Sequence, residues 1–125
     1  MGLKKFKVLI IALILLVSAS AMAAEKWTDD DYALEGSYLA LHFVDWRQTR
    51  TIAKNPDRYY EINPILGRHP STTEVDIYFA ATTLLHPIIS HYLPQPYRKW
   101  FQSVSVILSG TCVVNNFVVG IKMDF

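Results

Sequence analysis

Asp45 and His86 stand out in this chain because each is an ionisable residue set in or beside an otherwise apolar stretch. In a bilayer such a residue is a functional-site hypothesis by default. A facing Asp45–His86 pair would bind a proton, a metal ion or a polar group of a substrate. The plainer reading is a hydrogen bond that pins two helices together, and it leads here because no third ligand is evident. His86 also precedes Pro87, which cannot donate its amide and kinks a helix. The other residues suited to chemistry are Thr49, Glu61, Asn63 and Asn116, and with Asp45 and His86 they form the candidate polar site.

Other chemistries have less behind them. A metal centre needs three or four ligands at sensible spacing. His42 and Asp45 share a helical face, but His86 and His91, five apart, point away from one another. No metal or cofactor is therefore expected. Cys112 is the single cysteine, so no intrachain disulfide can form, and among valines it reads as a small packing residue. No spacing singles out a Ser-His-Asp triad, and no glycine loop could cradle phosphate. Twelve Lys and Arg stand against eleven Asp and Glu. Three of those lysines lie in the first seven residues, which leaves nine against eleven and no basic face for nucleic acid.

The elements that must position these residues follow from apolar patterning. Lys4, Lys5 and Lys7 precede an apolar run from Val8 to Val17, and Ala21-Met22-Ala23 follows. This is the pattern of a secretory signal, residues 1–23, with retention as a membrane anchor the alternative. Residues 24–125 form one helical domain. Helices are expected over about 31–54, 72–93 and 98–121, with Thr28 or Asp29 capping the first. Ser71 and Glu74 have capping-box spacing before the second, and Pro94-Gln95-Pro96 turns into the third. The tail Val119, Ile121, Met123, Phe125 alternates as a strand would, but a barrel needs at least eight such strands. The expected fold class is all-α, a small membrane bundle of about three helices.

Each helix carries a polar stripe: Glu35, His42, Asp45 and Thr49; Asp76, Thr83, His86 and Ser90; Gln102, Ser105, Ser109, Cys112 and Asn116. A span facing only lipid has no reason to carry these groups, so the stripes should face inward and bond one another. Arg47, Arg50, Lys54, Arg58 and Arg68 crowd the first connection, against Arg98 and Lys99 in the second. Positive loops stay inside, which places the first connection in the cytoplasm and the acidic Asp29-Asp30-Asp31 outside.

The first connection contains Tyr59-Tyr60-Glu61-Ile62-Asn63-Pro64-Ile65-Leu66-Gly67. Asn63 can cap a turn that Pro64 opens and Gly67 closes. The segment either folds back on the helix ends, where Glu61 meets Arg47 or Arg50, or is an ordinary proline-rich loop. Asp45-Trp46-Arg47-Gln48-Thr49 followed by Glu61-Ile62-Asn63-Pro64 resembles a family of small uncharacterised bacterial and phage-borne membrane proteins with an Asp-x-x-x-Thr … Glu-x-Asn-Pro pattern. The resemblance, over about residues 38–120, implies a helical membrane protein in which Asp45, Thr49, Glu61, Asn63 and Pro64 share a structural or binding site. It implies no activity. The first span here is more polar than the family pattern, so that helix either crosses the membrane or lies along its surface.

The expected protein is a non-catalytic component of the bacterial inner membrane, exported through its signal. Its partners would be the lipid bilayer and a second copy or another membrane protein. An intramembrane enzyme or a proton- or metal-linked transport element using Asp45, His86 and Glu61 is the first alternative. A soluble periplasmic helical domain is the second.

Overall fold

The computed structural model describes residues 10–11 and 24–125. The expected signal or anchor therefore lies, but for Ile10 and Ile11, outside the described residues. Three long helices make up the domain: α1 (Asp29–Lys54), α2 (Thr72–Tyr92) and α3 (Tyr97–Val119). Among the described residues there is no strand, and the alternating tail takes no part in a sheet. The fold is a small all-α bundle.

Local chemistry sets the helix ends. The Thr28 side chain accepts from the Asp31 amide while Asp31 accepts from the Thr28 amide, at 3.2 and 2.9 Å. Ser71 and Glu74 repeat this reciprocal capping at α2. α1 stops at Asn55, before Pro56, where the helical region is disfavoured. α3 ends at Gly120, whose φ of +89° is left-handed. The amides of Gly120 and Ile121 reach back to the carbonyls of Phe117 and Asn116, the Schellman pattern that closes a helix.

α1 is the central element. It packs antiparallel to α2 and parallel to α3, while α2 and α3 touch each other less. The tail beyond Gly120 folds back beside the C-terminal end of α1. Ile121 is buried, the Asp124 amide donates to the Arg47 carbonyl at 2.9 Å, and the Asp124 carboxylate pairs with Arg50 and Lys54.

The interior is polar. Among the described residues, six buried ones are hydrophobic, Phe79 and Val75 among them, whereas eleven are polar or charged. The outside carries the apolar mass: Leu84, Ile107 and Val118 are 68%, 65% and 81% exposed. Between Tyr32 and Val44 the only Asp, Glu, Lys or Arg is the buried Glu35, and α2 from Ile77 onward and α3 from Trp100 onward have none. Charged side chains on the surface thus sit at the two ends of the bundle. Only α3, among the described residues, has both the length and the composition of a membrane span, with a mean hydropathy of 1.4. α1 and α2 fall short because polar residues interrupt them, some turned inward, as Glu35 and His86 are, and some exposed near the helix ends, as Asp30 and His91 are.

Candidate functional site

Two polar centres occupy the interior, one above the other. The first surrounds Glu35. His86 Nδ1 donates to Glu35 Oε1 at 2.7 Å, and Ser90 Oγ and Gln102 Nε2 donate to Oε2 at 2.8 and 2.9 Å. The His86 ring is held between Tyr38 and Phe101, with ring centroids 3.6 and 4.5 Å away. The anticipated Asp45–His86 pair is not formed. His86 serves Glu35, which lies ten positions and about 15 Å of helix from Asp45. Loop lengths and helix stagger bring the C-terminal part of α2 beside the N-terminal part of α1, and Asp45 lies near the other end. Ser90 and His86 both bond to the carboxylate rather than to each other, so the Ser–His contact that activates a nucleophile is not made.

Below this end of the bundle, Arg98 and Asp31 are both fully buried, with Nη1 3.2 Å from Oδ2. Arg98 Nε donates to the Ser90 carbonyl at 2.7 Å and Nη2 to those of His91 and Glu25 at 3.3 and 2.9 Å. It therefore caps the open C-terminal carbonyls of α2 and ties down the segment before α1. Read from sequence, Arg98 is a loop charge. In the fold it is a buried structural cation, because the Pro94-Gln95-Pro96 turn starts α3 with the Arg98 side chain directed back at the carbonyls that end α2, while Tyr97 stays exposed.

The second centre is a half-open cavity of about 410 Å³ lined by α1, α2, α3 and the first connection. Asp45, Thr49, Glu61, Asn63 and Asn116, five of the six candidate residues, line it. His86 belongs to the Glu35 centre instead. Asp45 Oδ1 accepts from Asn116 Nδ2 at 3.3 Å and from Thr49 Oγ1 at 3.5 Å. Asn116 also donates to Gln48 Oε1 at 3.1 Å, and Gln48 Nε2 donates to the Val113 carbonyl at 3.3 Å. A short polar chain thus crosses from α1 to α3. Beside the cavity, Thr82 Oγ1 gives its proton to the Tyr78 carbonyl at 2.8 Å, so His42 Nε2, 2.8 Å from that oxygen, is the donor between them.

The first connection forms the cavity wall, and its sequence explains its shape. Glu61 Oε1 accepts from the amides of Ile62 and Asn63 at 2.9 and 2.8 Å, and Asn63 Oδ1 accepts from the Ile65 amide at 2.9 Å. Pro64, between them, has no amide to satisfy. The Gly67 amide closes the turn on the Asn63 carbonyl at 3.0 Å with a φ of +79°. The segment folds back on the helix ends, but Glu61 does not meet Arg47 or Arg50. Arg50 is held by Asp76 and Asp124, and Glu61 orders its own turn through Oε1.

Two stripes face inward as their spacing predicts, and the second is shifted. Thr83 is exposed and Thr82 faces in, one helical step of 100° away, where it meets His42. Gln48 and Tyr38 are interior residues that the stripes leave out. Gln48 adjoins Thr49 and widens that face, a signal visible in retrospect; an aromatic such as Tyr38 gives none. Cys112 lines the cavity, and among the described residues no base is bonded to it.

Among the described residues, no group of three His, Cys, Asp or Glu converges as a metal site would require. Comparison of the chain with protein-family models, with curated proteins and with solved structures finds no match.

Proposed function

We propose that this protein is a small integral membrane protein of the bacterial inner membrane that acts without catalysis, as an interaction or accessory component of the envelope. One observation carries the reading: a polar interior inside an apolar exterior, with surface charge confined to the two ends. In water the exposed leucines, isoleucines and valines would form an apolar surface far larger than a soluble monomer tolerates. In a bilayer they meet hydrocarbon, and the hydrogen bonds among the inward-facing side chains suit an interior without water.

The ends support an orientation. Tyr32, Tyr92, Tyr97 and Trp100 are exposed at the end where α1 begins, as interfacial aromatics would be. Arg47, Arg50, Lys54, Arg58, Arg68 and Lys122 gather at the other end, which the proposal places in the cytoplasm. The polar stripes are covered within one chain, so no partner is needed to bury them. A partner helix would instead meet the small exposed face of α1, where Ala33, Gly36, Ser37 and Ala40 permit close approach.

Cysteine labelling tests the reading. In a Cys112→Ser background, single cysteines at Leu84, Ile107 and Val118 should resist a membrane-impermeant maleimide. Cysteines at Arg58 and Lys122 should react in inverted vesicles, and one at Asp30 in spheroplasts. Free labelling of the three apolar positions in the native protein would contradict it.

A further inference from the structure

We propose that the cavity bounded by Asp45 and Glu61 binds an organic ammonium group. The proposal is a property of the folded bundle and does not depend on where the bundle resides.

The first ground is unmatched acceptor capacity. Asp45 and Glu61 line the cavity, and its lining holds no Lys or Arg. Among the described residues, protein donors reach only Oδ1 of Asp45 and Oε1 of Glu61. Glu61 is only 9% exposed, lines the cavity and keeps one carboxylate oxygen without a protein donor among the described residues. Glu35 provides the contrast in the same protein, since both of its oxygens are filled by His86, Ser90 and Gln102. Every oxygen of the Glu35 carboxylate has a protein donor, whereas Asp45 and Glu61 each keep one oxygen without one among the described residues.

The second ground is size and lining. A volume of about 410 Å³ falls within the range of small-molecule sites and far exceeds one desolvated metal ion. A metal would also need a third protein ligand that does not converge there. The walls add the aromatic side chain of Tyr78, of a type that attracts ammonium groups, and the apolar Leu66 and Leu108, which suit a short alkyl chain. Two carboxylates, no competing Lys or Arg, and an apolar wall together describe an alkylammonium. The ethanolamine headgroup of a phospholipid and a free amine share that chemistry.

Cys112 lines the same cavity and is the only thiol in the chain, so it reports on the site directly. The full chain would be treated in detergent with a trimethylammonium-ethyl and with a sulfonatoethyl methanethiosulfonate, each rate divided by that reagent's rate with a free thiol. The normalised cationic rate should exceed the anionic one by about tenfold or more. Asp45→Asn and Glu61→Gln should bring the ratio towards one. Butylammonium should slow modification of the native chain, and butanol, with the same alkyl chain and no charge, should not; this comparison needs no variant to fold. In nanodiscs, protection by phosphatidylethanolamine over phosphatidylcholine without added amine would identify the lipid headgroup as the source. Protection by butylammonium alone would identify a free amine. A native ratio near one, or no protection by either amine, would overturn the proposal.

Discussion

His86 Nδ1 lies 2.7 Å from Glu35 Oε1, and both side chains are more than nine-tenths buried. This contact joins α1 to α2 at the level where Gln102 of α3 also reaches the carboxylate. Breaking a buried, hydrogen-bonded pair from one side leaves an unmatched polar group. Glu35→Ala should therefore cost about 3–5 kcal/mol of unfolding free energy. The double variant Glu35→Ala/His86→Ala should cost clearly less than the sum of the single variants, because residues in one network do not add. Denaturant unfolding in detergent checks both. Additive costs would show that the pair is uncoupled.

Arg98 and Lys99 are adjacent in sequence and opposite in consequence. Arg98 is fully buried on Asp31 and on the carbonyls that end α2, whereas Lys99 meets Asp30 with side chains 56% and 71% exposed. Arg98→Met should destabilise by about 3–5 kcal/mol through the uncompensated Asp31. Lys99→Met should change stability by less than about 1 kcal/mol, the usual worth of an exposed pair. The same unfolding measurement compares them, and equal effects would count against a structural Arg98.

The tail contact should respond to acid. Hydrogen bonds from Lys54 and then Arg50 hold the Asp124 carboxyl below its ordinary value. A carboxyl with a lowered folded-state pKa contributes stability that is fully present above its unfolded value of about 3.9. That contribution is lost as pH falls through the folded value. Tail docking should thus be intact at pH 6 and weakened in the range below about pH 4. Hydrogen exchange at the Asp124 amide, which donates to Arg47, follows it. Asp124→Asn should abolish the acid-sensitive part, leaving exchange at pH 6 faster than in the native chain.

Gly67 faces open space, but its φ of +79° is strained for any residue with a Cβ. Gly67→Ala should cost about 1 kcal/mol and Gly67→Val more, with Gly67→Asn mildest, because Asn tolerates the left-handed region. Thermal unfolding of the three variants gives the order. A neutral Gly67→Val would mean that the turn around Asn63 is not fixed.

The caps and turns were legible because they are written in adjacent residues. Thr28 with Asp31, Ser71 with Glu74, and Asn63-Pro64 with Gly67 each satisfy backbone groups a few positions away, and helix ends came within two residues. The inward polar faces were legible from helical spacing, and Asp45, Thr49, Glu61, Asn63 and Asn116 converge on one cavity. Pairing between helices was not legible. A stripe that repeats every turn offers His86 several carboxylates, and only the stagger between α1 and α2 selects Glu35 over Asp45. Arg98 was misread for a related reason, since a charge beside a turn looks exposed until the turn's direction is known. A one-residue step separated Thr82 from Thr83, within the width that a stripe leaves open.

Membrane residence of a polar-cored bundle is the central claim, and extraction tests it most directly. Cells expressing the chain with a carboxy-terminal tag would be fractionated and the membranes washed with alkaline carbonate and with urea. The account predicts that the protein stays in the inner-membrane pellet through both washes, with its tail protected from protease added outside. Release into the soluble fraction, or recovery from the periplasm, would contradict it.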